Sequence, residues 1–230
     1  MNRGKLIVIE GTDSSGKETQ SKLLYERLKS EGHKVYKTSF PMYDTPTGRI
    51  VGGPYLGKLS ISEGYFKEGA SNVDGKVASL YYAADRYYNI YLINTMLSEG
   101  VNVILDRYTF SNMAHQAGKE KDESKRKELY KFLEELEFKL LQLPVPDLSI
   151  FLYVPSDVSF ELKKDREETD QHEDDIEHLK LAEKAYFEIA EIYGFETIQC
   201  VSGKKLRSRE DISEELTSLA LNCLKEKTRL

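Results

Sequence analysis

The chain has 230 residues, of which 40% are hydrophobic and 31% charged, and its formal net charge is −6. That balance is globular rather than disordered, and the length suits a single domain, 1–230, with a buried core. The acidic excess argues against general binding to a nucleic-acid backbone, no apolar stretch reaches the roughly 18 residues of a membrane span, and the start lacks a signal-peptide core. A soluble cytoplasmic protein with neither nucleic-acid nor membrane partners is expected.

Taken in chain order, Lys5 to Ile9 is a continuous apolar run, the pattern of a strand buried on both faces of a parallel sheet. From Glu18 the chain reads helical, with Leu23, Leu24 and Leu28 on one face and a stop at Gly32. Val35 to Ser39 reads as a second strand. Residues 41–75 are rich in glycine and proline and read as a long ligand-facing loop with one short helix at most. Lys76 to Ser98 reads as a helix in which Val77, Tyr81, Ala84, Tyr88, Tyr91 and Leu92 make one stripe. Val101 to Leu105 is a third strand. A helix follows over Leu129, Phe132, Leu133, Leu136 and Leu140, and Leu148 to Val154 is a fourth strand. Residues 157–180 are dense in charge, Leu181 to Tyr193 is helical, Glu196 to Val201 is a fifth strand, and Asp211 to Lys225 is the last helix. Strands alternating with helices imply an α/β fold with a five-stranded parallel sheet covered on both faces. Cys200 lies in an apolar run and reads as a buried thiol; neither the two cysteines nor the four histidines have metal-ligand spacing.

The strongest motif is Gly11-Thr12-Asp13-Ser14-Ser15-Gly16-Lys17, which fits the G-x-x-x-x-G-K part of a phosphate-binding P-loop. Glycines let the backbone curl so that N–H groups point inward at phosphate oxygens, Lys17 brings a cation, and the next helix adds its positive end. The strand before it and the helix after it are the context the motif needs. The residue after Lys17 is normally Ser or Thr, whose hydroxyl touches Mg²⁺; here it is Glu18, followed by Thr19. Glu18 is thus either a metal ligand or a helix-stabilising anion. Asp106-Arg107-Tyr108 closes an apolar strand, where open α/β sheets place ligands. Asp106 is a candidate to hold Mg²⁺, directly or through water, and Arg107 to fork onto an acceptor phosphate. The structural alternative is a salt bridge between them.

In the order Glu10 to Lys17, Phe40-Pro41, Leu80 to Arg86, and Asp106-Arg107-Tyr108 with Ser111 and Gln116 beyond, the chain resembles the thymidylate kinases of the P-loop nucleoside-monophosphate kinase branch. The pair Pro146-Asp147 also fits. The resemblance implies a P-loop kinase fold with a lid near 160–178, and transfer of a phosphoryl group from ATP, with Mg²⁺, to thymidine monophosphate. It implies that Tyr82 stacks on the pyrimidine, Arg86 donates to a base carbonyl, Phe40 packs on the substrate, and Asp13 faces the sugar 3′-hydroxyl and helps hold Arg107. Tyr82 and Phe40 have core packing as their alternatives. Relatives carry a phosphate-binding arginine where Tyr43 stands, and Arg49 is the substitute nearest in sequence; His115 replaces the usual Tyr or Phe beside the sugar. The resemblance implies a further cation over the moving phosphoryl group, from the P-loop or the lid; this P-loop has no arginine, so Arg166 in the lid is the first candidate and Lys163 the second, with a solvated charged helix as the alternative. Gln171 stands where relatives often carry arginine. The adenine is expected along the backbone of 201–205, and a homodimer is implied. The rival readings are a kinase for another nucleoside monophosphate or a nucleoside, and a nucleotide-binding regulator without turnover. A GTPase is disfavoured, because no Asn-Lys-x-Asp motif occurs.

Overall fold

A computed structural model describes residues 3–12, 14–163, 176–203 and 205–226. Five strands form one all-parallel sheet: β1 (Leu6–Gly11), β2 (Val35–Ser39), β3 (Asn102–Asp106), β4 (Leu148–Tyr153) and β5 (Glu196–Gln199), in the order β2-β3-β1-β4-β5. β1 is central and wholly buried, which accounts for its unbroken apolar run. Its side chains alternate between two cores. Ile7 and Ile9 pack with Leu24 and Leu28 of α1 (Lys17–Ser30) and with Ile212 and Leu216 in the C-terminal helix. Leu6 and Val8 pack with Ile90, Ile93 and Leu97 on the other face. Each such side chain taken from water contributes about 1.5–3 kcal/mol, so a polar residue at any of these four positions breaks the sheet.

The loop over 41–75 holds a short helix, and a second short helix lies in a stretch after β3 that the sequence left unassigned. After β2, α2 (Pro46–Ile50) starts at Thr45, whose hydroxyl accepts from the Gly48 N–H, and it runs on through a wider turn, Val51–Tyr55. After β3, α4 (Thr109–Asn112) continues through Met113–Ala117. Both are short helices rich in small or aromatic residues, with no amphipathic period to announce them. Between them lies α3 (Gly75–Ser98), capped by Asp74, whose carboxylate accepts the Lys76 and Val77 N–H groups. Of the expected stripe, Val77, Ala84, Tyr88, Tyr91 and Leu92 are exposed, as are Leu80 and Tyr87, whereas Tyr81 is half-buried against Tyr55; Ala83, Asp85, Arg86, Ile90 and Ile93 form the buried side. α5 (Glu123–Glu134) extends through Glu135–Leu140. Within the charge-dense stretch lies α6 (Ser156–Lys163), and α7 (Ile176–Tyr193) starts earlier than its apolar run. β5 ends at Gln199 rather than Val201, because a small antiparallel pair, β6 (Val201–Ser202) with β7 (Lys205–Leu206), takes the next residues. α8 (Arg209–Lys225) is capped by Ser208. Among the described residues, no helix is long and apolar enough to cross a membrane.

All five strands point the same way, so the P-loop, Phe40, Asp106-Arg107 and Val154 emerge on one edge. Ile9 lies opposite Asp106, and Asp106 opposite Ser39. The connection after β1 passes to β2 and that after β3 passes to β4, on opposite sides, which opens the ligand crevice between β1 and β3.

Candidate active site

The P-loop wraps from β1 to α1. Ser14 (φ 57°) and Gly16 (φ 81°) are left-handed, and a Cβ on Gly11 would meet the Leu152 carbonyl at 2.5 Å. Thr12 fastens the loop to the end of β4: its hydroxyl donates to the Val154 carbonyl at 2.7 Å and accepts from the Val154 N–H at 3.1 Å. The buried Lys17 ammonium lies within the loop, donating to the carbonyls of Thr12 (2.8 Å) and Gly11 (3.1 Å) and to Ser15 Oγ (3.4 Å). Ser14 Oγ is a buried oxygen with no hydrogen-bond partner among the described residues. Glu18 and Thr19 are exposed in the first turn of α1. Asp13 and Arg166 lie outside the described residues, as do the Lys163 side chain and Gln171.

Opposite stands the turn after β3. Arg107 is left-handed (φ 67°), and its N–H donates to the Ile9 carbonyl at 3.0 Å. Asp106 is buried at the strand end, with no hydrogen bond or ion pair to its carboxylate among the described residues. The alternative reading, a salt bridge between Asp106 and Arg107, finds no such contact among the described residues. Glu10 holds this turn. Its fully buried carboxylate accepts from the Tyr108 N–H (2.8 Å), the Ser111 N–H (3.2 Å), the Ser111 hydroxyl and the Tyr186 hydroxyl (3.2 Å). Burial raises its pKa, against the lowering effects of Ser111, Arg107, Tyr108 and Lys17. Ser111, expected to touch substrate, is the link: Arg107 Nη1 donates to its Oγ at 3.4 Å.

The third wall is α3 facing α4. Tyr82 packs edge-on against Tyr55 at 5.6 Å. Arg86 is buried and directs Nε and Nη2 as a fork onto Glu137, with Nη1 3.5 Å from the Tyr108 carbonyl. The pair keeps the guanidinium charged: burial lowers its pKa, and Glu137 more than reverses that. The fork uses Nε and one Nη2 hydrogen, so any donation from Arg86 to a base falls to the remaining N–H groups of Nη1 and Nη2. Asp85, its neighbour, accepts from the Met42 N–H (2.9 Å) and the Thr47 hydroxyl (2.9 Å) and so holds the loop behind Phe40. Phe40 itself is buried against Tyr108, in a core position. Arg49 is exposed on α2, and the Tyr43 ring lies under the Lys58 ammonium.

Two buried amides complete the wall. Asn112 Nδ2 donates to Glu137 (3.0 Å) and to the Ser79 carbonyl (3.3 Å), while its Oδ1 has no partner among the described residues. One helical turn on, Gln116 Oε1 accepts weakly from Tyr55 (3.4 Å), and its Nε2 has no partner either. An unmet buried polar atom costs about 1–3 kcal/mol, so each of these two is a candidate to meet a ligand atom or a water. His115, between them in sequence, stacks on His178 of α7, with Nδ1 and Nε2 3.2 Å apart. Glu10, Glu137, Asp85 and Asn112 were not singled out by sequence reasoning.

This arrangement has known counterparts. The family model described as thymidylate kinase matches residues 9–212. The chain belongs to the thymidylate kinase family. It is 30% identical to the thymidylate kinase of Schizosaccharomyces pombe over 96% of this chain and 93% of that protein. It is 31% identical to a probable thymidylate kinase of Pyrococcus horikoshii over 94% of this chain and 96% of that protein. The human thymidylate kinase is 35% identical over 65% of this chain, which spans 61% of the human protein. In fold, it matches the structure of thymidylate kinase from Candida albicans with a TM-score of 0.71, covering 96% of this chain and 92% of that one at 24% identity. The P-loop nucleoside-monophosphate kinase architecture read from the sequence is therefore that of its relatives.

Proposed function

We propose that the chain carries out the reaction its family is named for: ATP and thymidine monophosphate give ADP and thymidine diphosphate. The observation that carries the base assignment is a pair of unmet atoms, an acceptor at Asn112 Oδ1 in α4 and a donor at Gln116 Nε2 in the turn that follows it. Thymine offers an N–H flanked by two carbonyls, which complements an acceptor beside donors. Cytosine presents an unprotonated ring nitrogen there, and two acceptors would meet.

The P-loop N–H groups and Lys17 cradle the ATP phosphates, with Asp13 between the two substrates. Arg107 takes the acceptor phosphate, with Arg49 as a second cation. Tyr82 stacks on the base, and Phe40 supports it from the core. Arg166 in the lid, with Lys163 behind it, neutralises charge that spreads over the moving phosphoryl group. Asp106, uncommitted at the strand end, and Ser14 Oγ are hard oxygen donors that would hold Mg²⁺, which would supply neutralisation of the phosphate oxygens. No covalent enzyme intermediate is needed, because alignment and water exclusion suffice. We propose the cytoplasm as its compartment and a second copy of the chain as the partner of the exposed apolar face of α3.

The test is ADP release with ATP and Mg²⁺ against a panel of nucleosides and monophosphates. dTMP is expected to lead dCMP and the purine monophosphates in kcat/KM. Preference for a purine monophosphate, or for an unphosphorylated nucleoside, overturns the reading. ATP binding without turnover on any acceptor favours a regulator.

A further inference from the structure

Glu137 lies 51 residues from Arg86 in sequence, in the turn that ends α5, and its side chain is completely buried. A buried carboxylate is tolerated only when fully paired. Here four donors converge on it. Arg86 supplies Nε to Oε2 and Nη2 to Oε1 (2.6 Å), Thr109 Oγ1 donates to Oε2 (2.9 Å), and Asn112 Nδ2 donates to Oε1 (3.0 Å). These donors come from both helices that face the base: Arg86 from α3, one turn beyond Tyr82, and Thr109 and Asn112 from α4. The orientation of the Asn112 amide follows from chemistry. Both of its neighbours on that side, Glu137 and the Ser79 carbonyl, are pure acceptors, so Nδ2 must face them and Oδ1 must face away.

We propose that Glu137 is a specificity-determining positioning residue, which fixes the donor and acceptor pattern that Arg86 and Asn112 present to the base and so selects thymine over cytosine. It does not touch substrate; it acts by ordering the groups that do. The inference rests on the dTMP reading above and says which remote residue enforces it. Replacing the carboxylate by an amide leaves one acceptor where there were two. The fork of Arg86, Thr109 and Asn112 then cannot all be met, and the polarity of the base edge is no longer held.

The experiment measures kcat/KM for dTMP and dCMP, together with the KM for ATP, in the wild-type protein and in Glu137→Gln. A fall of at least tenfold in the dTMP-to-dCMP ratio is expected, with the ATP KM within twofold of wild type. A role in stability alone would lower the melting temperature and leave that ratio in place. Glu137→Asp is the second variant, for the case in which the first does not fold: it keeps a charge for Arg86 but, one methylene shorter, releases Asn112, and the same fall is expected. A wild-type ratio in either folded variant overturns the proposal while leaving the dTMP reading intact. A wild-type protein with no preference for dTMP overturns both.

Discussion

Glu10 shows how one side chain links two loops. It belongs to β1, yet all its hydrogen-bond partners lie on the Arg107 turn, on α4 or on α7, and it holds the turn in which Arg107 is left-handed. Its pKa is raised by burial, so the fold favours the protonated acid. The contribution of this group to stability is therefore fully present below its ordinary carboxylate range and is lost as pH rises through the folded value. Glu10→Gln replaces it with a neutral group of the same shape, whose oxygen accepts the two N–H groups and whose amide nitrogen donates to the two hydroxyls. Relative to wild type, the variant should gain stability as pH goes from 4 to 8, read by urea unfolding at each pH. A difference that stays flat or falls across that range would show that the carboxylate is not penalised by its burial. The residues that could be read from the sequence were those whose chemistry is local: Gly11 to Lys17 carry their meaning in seven consecutive positions. Arg86 could not be read so, because its partner is 51 residues away and nothing in Leu80 to Arg86 announces it.

At the scale of elements, α1 raises the matter of Glu18. The helix starts at Lys17 behind Gly16, which offers no side-chain cap, so its first N–H groups and its dipole lack the usual compensation from Ser or Asp. Glu18 is the one acidic residue of the first turn and is exposed. Its position suits a dipole partner better than a metal ligand, which would have to fold inward toward the phosphates. Glu18→Gln is expected to cost about 0.3–1 kcal/mol in thermal or urea unfolding, the worth of an anion at a helix N-terminus, and to leave the Mg²⁺ concentration for half-maximal activity unchanged. A severalfold rise in that concentration would make Glu18 a ligand after all. The five strands and most long helices were legible for the same reason as the P-loop, since alternation and period are local. α2 and α4 were less so, being short and without a repeating apolar face; each is held to α3 by a side chain of its own, Thr47 donating to Asp85 and Asn112 to the Ser79 carbonyl. Most of the α3 stripe was legible as a pattern, but its direction was not, because the buried side carries Asp85 and Arg86, which periodicity counts as polar.

At the scale of the whole molecule, that inverted helix is the feature that a monomer explains least. α3 buries two charged residues to build the site and turns Val77, Leu80, Tyr87, Tyr88, Tyr91 and Leu92 to solvent, with Tyr91 81% and Tyr88 60% exposed. Scattered apolar residues on a surface need no explanation, but six on one face of a 24-residue helix form a contiguous patch. Aromatic side chains with a polar tip are the type enriched in protein interfaces. A face made from one helix is self-complementary about a two-fold axis, so a second copy packed α3 against α3 buries it without any other partner. The same helix carries Tyr82 and Arg86, so packing its outer face also stiffens the wall that meets the base. The wild-type protein is therefore expected to sediment at twice its 26.4 kDa chain mass. Tyr88→Glu with Tyr91→Glu places two like charges per chain at the centre of that face, where each would be desolvated opposite its twin. The double variant should sediment as a folded monomer and lose affinity for dTMP more than for ATP, because only the acceptor wall leans on the interface. A wild-type protein that is monomeric at micromolar concentration would remove the dimer, and a double variant that stays dimeric would move the interface to another face.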